Sequence, residues 1–173
     1  MSYFVREHIP EHSDEMDIIV QRCMETVLET IPEFQGKTEL AQQVFSNFTF
    51  EQMKGMISGN VGHPNHQILV SEDKHTKEVV GHFIFSIKQD SEHQMYGFCY
   101  SCYIHPKHRR RGIAQRLLTE AESWWRERGA MYAVASTHTT NIKLQNLFLK
   151  NGYQLIEPNQ HGKLKMYGLR KEL

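Results

Sequence analysis

The chemistry-bearing residues of this 173-residue chain concentrate between positions 102 and 118, which read Cys-Tyr-Ile-His-Pro-Lys-His-Arg-Arg-Arg-Gly-Ile-Ala-Gln-Arg-Leu-Leu. A β-prone run ends at His105-Pro106, a basic loop follows, and a strongly helical segment opens at Gly112. Strand, then Arg109-x-x-Gly112-x-Ala114, then helix is an order that aims several unpaired backbone N–H groups at one point. The partial positive charge of a helix start adds to them, so the point suits an anion such as a pyrophosphate. Gly112 and Ala114 keep the backbone approachable. The arginines of the loop can reach outward as bidentate donors to further phosphates. The pattern lacks the Gly-Lys-Ser/Thr ending of a Walker loop and the Gly-x-Gly-x-x-Gly of a dinucleotide fold.

Other reactive residues point to less. Cys23, Cys99 and Cys102 are the only cysteines, too few for a disulfide framework. Cys99 and Cys102 have Cys-x-x-Cys spacing, but inside an expected strand residues three apart face opposite ways, which predicts two half-buried thiols and no shared zinc. The eleven histidines are scattered. His63 and His66 flank a proline in a loop with no third ligand nearby, and His105 and His108 flank the basic loop.

The elements that must position these residues follow from periodicity. Residues 2–7 read as a first strand. Ser13 is placed to cap a helix with Asp14 and Glu15 in its first turn, a buried face running from Met16 to Ile31, and Pro32 as its end. A second helix is expected from Thr38, burying Leu40, Val44, Phe45 and Phe48. It should break at the capping box Thr49-Phe50-Glu51-Gln52 and restart through Met53, Met56 and Ile57. Residues 67–72, 78–87 and 95–104 read as three strands joined by polar turns. Ile113 begins a helix whose apolar positions include Leu117, Leu118, Ala121 and Trp125, with Gly129 placed as its C-cap. Residues 131–135 form a strand parallel to 95–104 through a crossover. A further helix starts at Asn141, and residues 163–171 alternate as a closing strand.

That last helix, Asn-Ile-Lys-Leu-Gln-Asn-Leu-Phe-Leu-Lys-Asn-Gly-Tyr from Asn141 to Tyr153, carries a second pattern at the distance a helix and a strand require. Together the two segments resemble the GNAT superfamily of N-acetyltransferases. The first resembles its acetyl-CoA motif, Arg/Gln-x-x-Gly-x-Gly/Ala. The second is similar to Asn-x-x-Ala-x-x-Leu-Tyr-x-Lys-x-Gly-Phe, with Asn141, Leu147, Lys150 and Gly152 in register. Leu144 and Tyr153 are packing variants of that pattern. Phe148 stands where many relatives have the tyrosine that protonates the departing thiolate, and Ser136 stands where some have a basic glutamate.

The resemblance implies an α/β (α+β) fold over residues 1–173 as one domain, with a mixed central sheet flanked by helices in the order β-α-α-β-β-β-α-β-α-β-β and a parallel pair splayed apart. It implies acetyl-CoA as co-substrate, held by Cys102, Tyr103, Ile104, Arg109, Arg110, Arg111, Gly112, Ile113, Ala114, Gln115 and Asn141. The pantetheine arm would pair with backbone groups of residues 102–104 like an added strand. A backbone N–H there would stabilise the oxyanion as an amine attacks the thioester directly, so no cysteine need act as nucleophile. For the base, His138 falls on the same side as Ser136 if the strand continues that far, with Tyr100, Tyr96 and Glu92 as rivals. No metal is expected. The acceptor is a small-molecule or peptide amine, and a homodimer is a family-level expectation. The alternative is a non-catalytic acyl-CoA-binding sensor, suggested by Phe148.

Bulk properties agree. The chain has 39% hydrophobic and 23% charged residues, with Lys plus Arg equal to Asp plus Glu at 20 each. Zero net charge argues against a general nucleic-acid binder, despite residues 107–111. No apolar run has membrane-spanning length and no leader-like segment opens the chain, so the expected location is the cytoplasm.

Overall fold

The eleven-residue run VVGHFIFSIKQ places apolar side chains on both sides of one strand, and it forms the buried middle of the sheet. A computed structural model describes residues 2–34, 36–45, 48–161 and 164–173. The elements follow in the order β1 (Tyr3–Glu7), α1 (Ser13–Thr30), α2 (Thr38–Val44), α3 (Phe50–Ser58), β2 (His66–Asp73), β3 (Val79–Gln89), β4 (Met95–Ile104), α4 (Ile113–Glu127), β5 (Tyr132–His138), α5 (Ile142–Lys150), β6 (Gln154–His161) and β7 (Leu164–Glu172). A 3-10 turn, Pro106–His108, sits between β4 and α4. One seven-stranded sheet is ordered β1-β2-β3-β4-β5-β7-β6. Among the described residues only β4 and β5 pair in parallel, as the α4 crossover between them requires. The sequence reading of the order holds, but the second helix ends at Val44, short of the expected break, and the chain restarts as α3 at the expected box, where Thr49 Oγ1 accepts the Gln52 N–H at 3.3 Å. Two further details differ. α1 begins at Ser13 itself, with His12 in the cap position. Val44 is 41% exposed, at the last residue of the short α2.

The two long helices, α1 and α4, bury their apolar stripes. On one side of the sheet, Leu117, Leu118, Ala121 and Trp125 of α4 pack with Phe83, Phe85 and Cys99. Trp125 is fully buried, and its indole N–H donates to the Ser86 carbonyl at 2.8 Å, so its one polar atom is satisfied. The ring fits because position 97 is glycine: a Cβ there would stand 2.3 Å from it. α1 sets Ile19, Val20 and Cys23 against Ile68, Val70 and Ile84 of β2 and β3. A third cluster joins Ile31, Phe34, Ala41, Phe48 and Leu164, bringing α2 and the start of β7 to the end of α1.

The N-terminal strand is tied down by charge. The buried Glu15 carboxylate accepts from both Arg6 Nη1, at 3.2 Å, and Arg6 Nη2, and it lies 2.6 Å from His8 Nδ1. Burial alone would raise this carboxyl, but the hydrogen bonds from His8 and Arg6 and the arginine's charge outweigh it and hold the group at about 2. A depressed folded value contributes stability above the unfolded value, and that stability is lost as pH falls toward the folded one. Glu15→Gln should therefore destabilise the domain by about 2–3 kcal/mol at pH 7. Urea titrations should show the difference from wild type shrinking between about pH 4.5 and pH 3, and a constant difference would contradict the assignment.

Candidate functional site

The site begins with one extra residue. β3 and β4 are in register with Phe85 opposite Cys99 and Ile84 opposite Ser101, which leaves Tyr100 as a bulge. A bulge bends its strand and increases the local twist. β4 pairs with β5 only from Tyr96–Tyr132 to Cys99–Ala135. β5 stays with β7 as far as His138. Beyond the bulge the two parallel strands have separated, and the second edge of β4, up to Ile104, has no strand partner among the described residues. The bulge also corrects the reading of the cysteines. Because one residue intervenes, Cys102 and Cys99 oppose Phe83 and Phe85 on the same face and join the same core cluster. Burial pushes the Cys102 thiol up to about 12, the Cys99 thiol well above its usual value and the Cys23 thiol up to about 11. Among the described residues no group of His, Cys, Asp and Glu could hold a metal ion.

One cavity, of about 490 Å³, opens on the α4 start and the basic loop. Its wall includes Cys102, Tyr103, Ile104, Arg109, Arg110, Gly112, Ile113, Ala114, Gln115 and Asn141, ten residues expected to bind the cofactor. Gly112 has φ +75, a left-handed conformation that disfavours any side chain, and nothing lies within 4 Å of where its Cβ would be. Among the described residues no side chain caps α4 at this point, so its first-turn N–H groups face the cavity with the helix's positive end. Arg111 is the exception. It is absent from the wall, and its Nη1 donates to the Tyr3 hydroxyl at 2.8 Å. The left-handed Arg110 beside it (φ 63) turns the chain, so the three arginines do not fan out together. Arg109 spends one N–H on the Ile104 carbonyl at 2.8 Å, closing the end of β4. Sequence reasoning placed Leu147 and Lys150 in the second motif but assigned neither them nor Lys143 and Asn146 to the cofactor, although the four form a one-face stripe of α5 that lines this cavity; their spacing of three, four and seven was the available signal. It missed Glu29 as well, which accepts from Lys143 at 2.7 Å and lies 3.6 Å from Arg109 Nη2.

A second cavity, of about 420 Å³, lies on the other side of the split and includes Tyr100, Ser101, Ser136 and His138. Thr26, Thr30, Cys102, Asn141 and Leu144 line both cavities, so the two meet where β4 leaves β5. Asn141 builds this junction by capping α5: its side-chain oxygen accepts the Leu144 N–H at 3.2 Å. His138 ends β5 and is buried. Thr140 Oγ1 gives its only hydrogen to the Thr30 carbonyl. It must then accept from His138 Nδ1, 2.6 Å away. The Thr140 N–H lies at 3.4 Å, too far to reverse that polarity. Neutral His138 thus carries its proton on Nδ1 and keeps the lone pair on Nε2, which has no hydrogen-bond partner among the described residues and sits 3.8 Å from the Glu33 carboxylate. Tyr100 is 46% exposed, and its hydroxyl accepts from Ser86 Oγ at 3.3 Å.

Two further groups take structural places. His82 is fully buried, 3.0 Å from Ser101 Oγ and 3.5 Å from Cys23 Sγ. Burial, then the Arg22 charge, lowers it to about 3, so it is neutral and forms no thiolate pair. Phe148 is fully buried and packs edge-on to Tyr153 at 4.7 Å, outside both cavity walls.

The sequence profile of the Acetyltransferase (GNAT) family matches residues 21–153, and this chain belongs to that family. No functionally curated protein matches the sequence. Solved structures do. The PaiA N-acetyltransferase of Thermoplasma acidophilum, solved with coenzyme A, is similar at a TM-score of 0.74 and 16% identity, over 100% of both chains. The ribosomal-protein-alanine N-acetyltransferase of Brucella melitensis gives 0.71 and 16%, over 98% of this chain and 99% of that one. A chain of the NatC complex bound to Gag peptide and coenzyme A gives 0.71 and 11%, over 100% and 99%. At these identities the likeness is one of fold. Among the described residues no helix is long and apolar enough to cross a membrane.

Since Phe148 is sealed in the core, Phe148→Tyr should lower stability by about 1–3 kcal/mol through an unpartnered buried hydroxyl, as read by thermal or urea unfolding. In the same way the three raised thiols should resist iodoacetamide at pH 8 in the folded protein and react only on unfolding, as followed by mass spectrometry.

Proposed function

We propose that the chain transfers an acetyl group from acetyl-CoA to a primary amine by direct attack in a ternary complex. The observation that carries this reading is the meeting of two cavities, one cationic and one neutral, at the point where β4 and β5 separate. The cationic cavity fits a polyphosphate: a left-handed glycine with open space above it, an uncapped helix start, and Arg109, Arg110, Lys143 and Lys150 around them. The unpaired edge of β4 offers main-chain groups to the amides of the pantetheine arm. That arm would deliver the thioester to the junction, where the amine arrives from the other side. Holding the two together supplies much of the rate.

In the reaction the amine nitrogen attacks the thioester carbonyl carbon, a C–N bond forms, the C–S bond breaks, and the electron pair leaves on sulfur. The nitrogen's proton passes to His138 Nε2 and from there, through water, to the coenzyme thiolate, which leaves as the thiol and returns the imidazole to its neutral form. A β4 backbone N–H aimed at the carbonyl oxygen would steady the oxyanion, an effect of about 100- to 1000-fold per donor. His138 serves as base, because Thr140 leaves its Nε2 able to accept a proton. Tyr100, in the same wall, is the rival. The leaving thiolate needs little help from an acid, so burial of Phe148 in the core is compatible with turnover.

Gly112→Glu should abolish coenzyme A binding in calorimetry while costing only about 1–2 kcal/mol of stability, since the side chain enters open space but a strained conformation. Wild-type affinity would remove the cofactor site from this cavity. His138→Asn should lower kcat/KM by roughly 100-fold and erase the acidic limb of the pH–rate profile, whereas Tyr100→Phe should keep that limb. Persistence of the limb in the histidine variant would exclude His138 as the base.

A further inference from the structure

The two cavities differ in charge as well as in place, and that difference bears on the acceptor. The wall near the basic loop carries four Arg and Lys side chains, with Glu29 among them. The wall of the 420 Å³ cavity contains no Asp, Glu, Lys or Arg among the described residues. It is built mainly from apolar side chains, including Val27, Ile31, Met53, Ile57, Ile84 and Leu164. The volume is that of a small-ligand site. One side is flat: His66 and Tyr100 stack at 5.9 Å with 20° between their rings. Burial, then the charges of His63 and Lys88, lowers His66 from its usual value, so this ring is neutral at pH 7. The carboxylate behind His8 is already held by Arg6. Glu33 stands beside His138, at the reacting end, and Glu7 is occupied as the acceptor of the Gln67 side-chain N–H at 2.7 Å.

Such a wall discriminates by what it cannot pair. A second ammonium group would lose its water here and, away from the reacting end, meet no carboxylate among the described wall residues. A carboxylate on the acceptor would meet no Arg or Lys in the wall itself; Lys88, whose Nζ lies 4.9 Å from the centre of the Tyr100 ring, is already engaged with that ring and with Phe98 at 4.2 Å. A neutral apolar body loses nothing comparable and gains contact with the aliphatic and aromatic side chains.

Resting on the transferase reading above, we infer that the acceptor is a primary amine with no other charge, carried on an apolar, aromatic or branched-aliphatic body. Polyamines, aminoglycosides and free amino acids are excluded. The same chemistry is offered by a free arylalkylamine and by the first residues of a hydrophobic peptide, and the experiment separates these sources.

The experiment is a thiol-release assay with acetyl-CoA and a panel of probes: phenethylamine, tryptamine, a peptide beginning Met-Leu, the same peptide beginning Asp-Lys, spermidine, kanamycin and lysine. The apolar monoamines or the Met-Leu peptide should exceed spermidine, kanamycin and lysine by roughly 100-fold in kcat/KM. Preference for phenethylamine identifies the free amine as the source, and preference for the Met-Leu peptide identifies a polypeptide. Highest activity on spermidine, kanamycin or lysine would overturn the inference and leave the transferase reading standing. If no probe releases thiol, the transferase reading fails, and phenethylamine is titrated into coenzyme-saturated protein by calorimetry. Saturable binding would uphold the character of the cavity, and its absence would overturn it. Met56→Glu places a carboxylate on the wall at a half-exposed helical position where glutamate is well tolerated. With folding checked by circular dichroism, it should shift the ratio toward spermidine by about 10-fold. An unchanged ratio would mean that this wall does not meet the acceptor.

Discussion

A single inserted residue governs the centre of this molecule. With Tyr100 bulged between Cys99 and Ser101, β4 changes the parity of its side chains and bends away from β5 after four paired positions. Without the bulge a parallel pair of this kind would zip to its ends, and the hydrogen-bonding edge that now faces a cavity would be consumed by the sheet. Trp125 anchors the strand below the bulge, against Gly97, so the paired half is rigid while the other half is splayed. The opening is thus a property of backbone register, supported by core packing, and it requires no flexible loop.

The two sides of the opening are fastened to each other through α1. Thr26 and Thr30 reach both cavities. The carbonyl of Thr30 holds Thr140, which in turn orders His138. Helix end, β5 terminus and α5 cap therefore form one hydrogen-bonded unit around the junction. The electrostatic division follows from which elements supply each wall. The turn before α4 and one stripe of α5 bring cations, whereas α1, α3 and the inner strands bring aliphatic side chains.

Much of this was legible beforehand, because periodicity and local chemistry are written in neighbouring residues. The Gly112 turn, the α4 stripe ending in Trp125, the Thr49 box and the Asn141 cap depend on spacings within a few positions. The misreadings share the opposite character. Strict alternation put Cys99 and Cys102 on opposite faces, and only the pairing with β3 reveals the extra residue between them. Arg111 looks like its neighbours in sequence, but the turn at Arg110 sends it to Tyr3, over a hundred positions away. Phe148 was read rightly as a residue that cannot donate a proton, but its burial against Tyr153 was not foreseen, since packing sets its direction. The Thr30–Thr140–His138 chain joins α1 to β5, and no local pattern could announce it.

Glu29 gives the cationic cavity a resident counter-ion. Its carboxylate bridges Lys143 and stands near Arg109, and the hydrogen bond from Lys143 lowers its proton affinity, so it stays ionised. Any anion that settles there must draw those side chains from a partner that remains tethered beside it. The carboxylate holds the cations in position beforehand, then competes for them afterwards, and its own negative charge works against a long stay. Residence time is therefore shortened from within the chain, and an occupant that has to depart after each cycle meets a rival already in place.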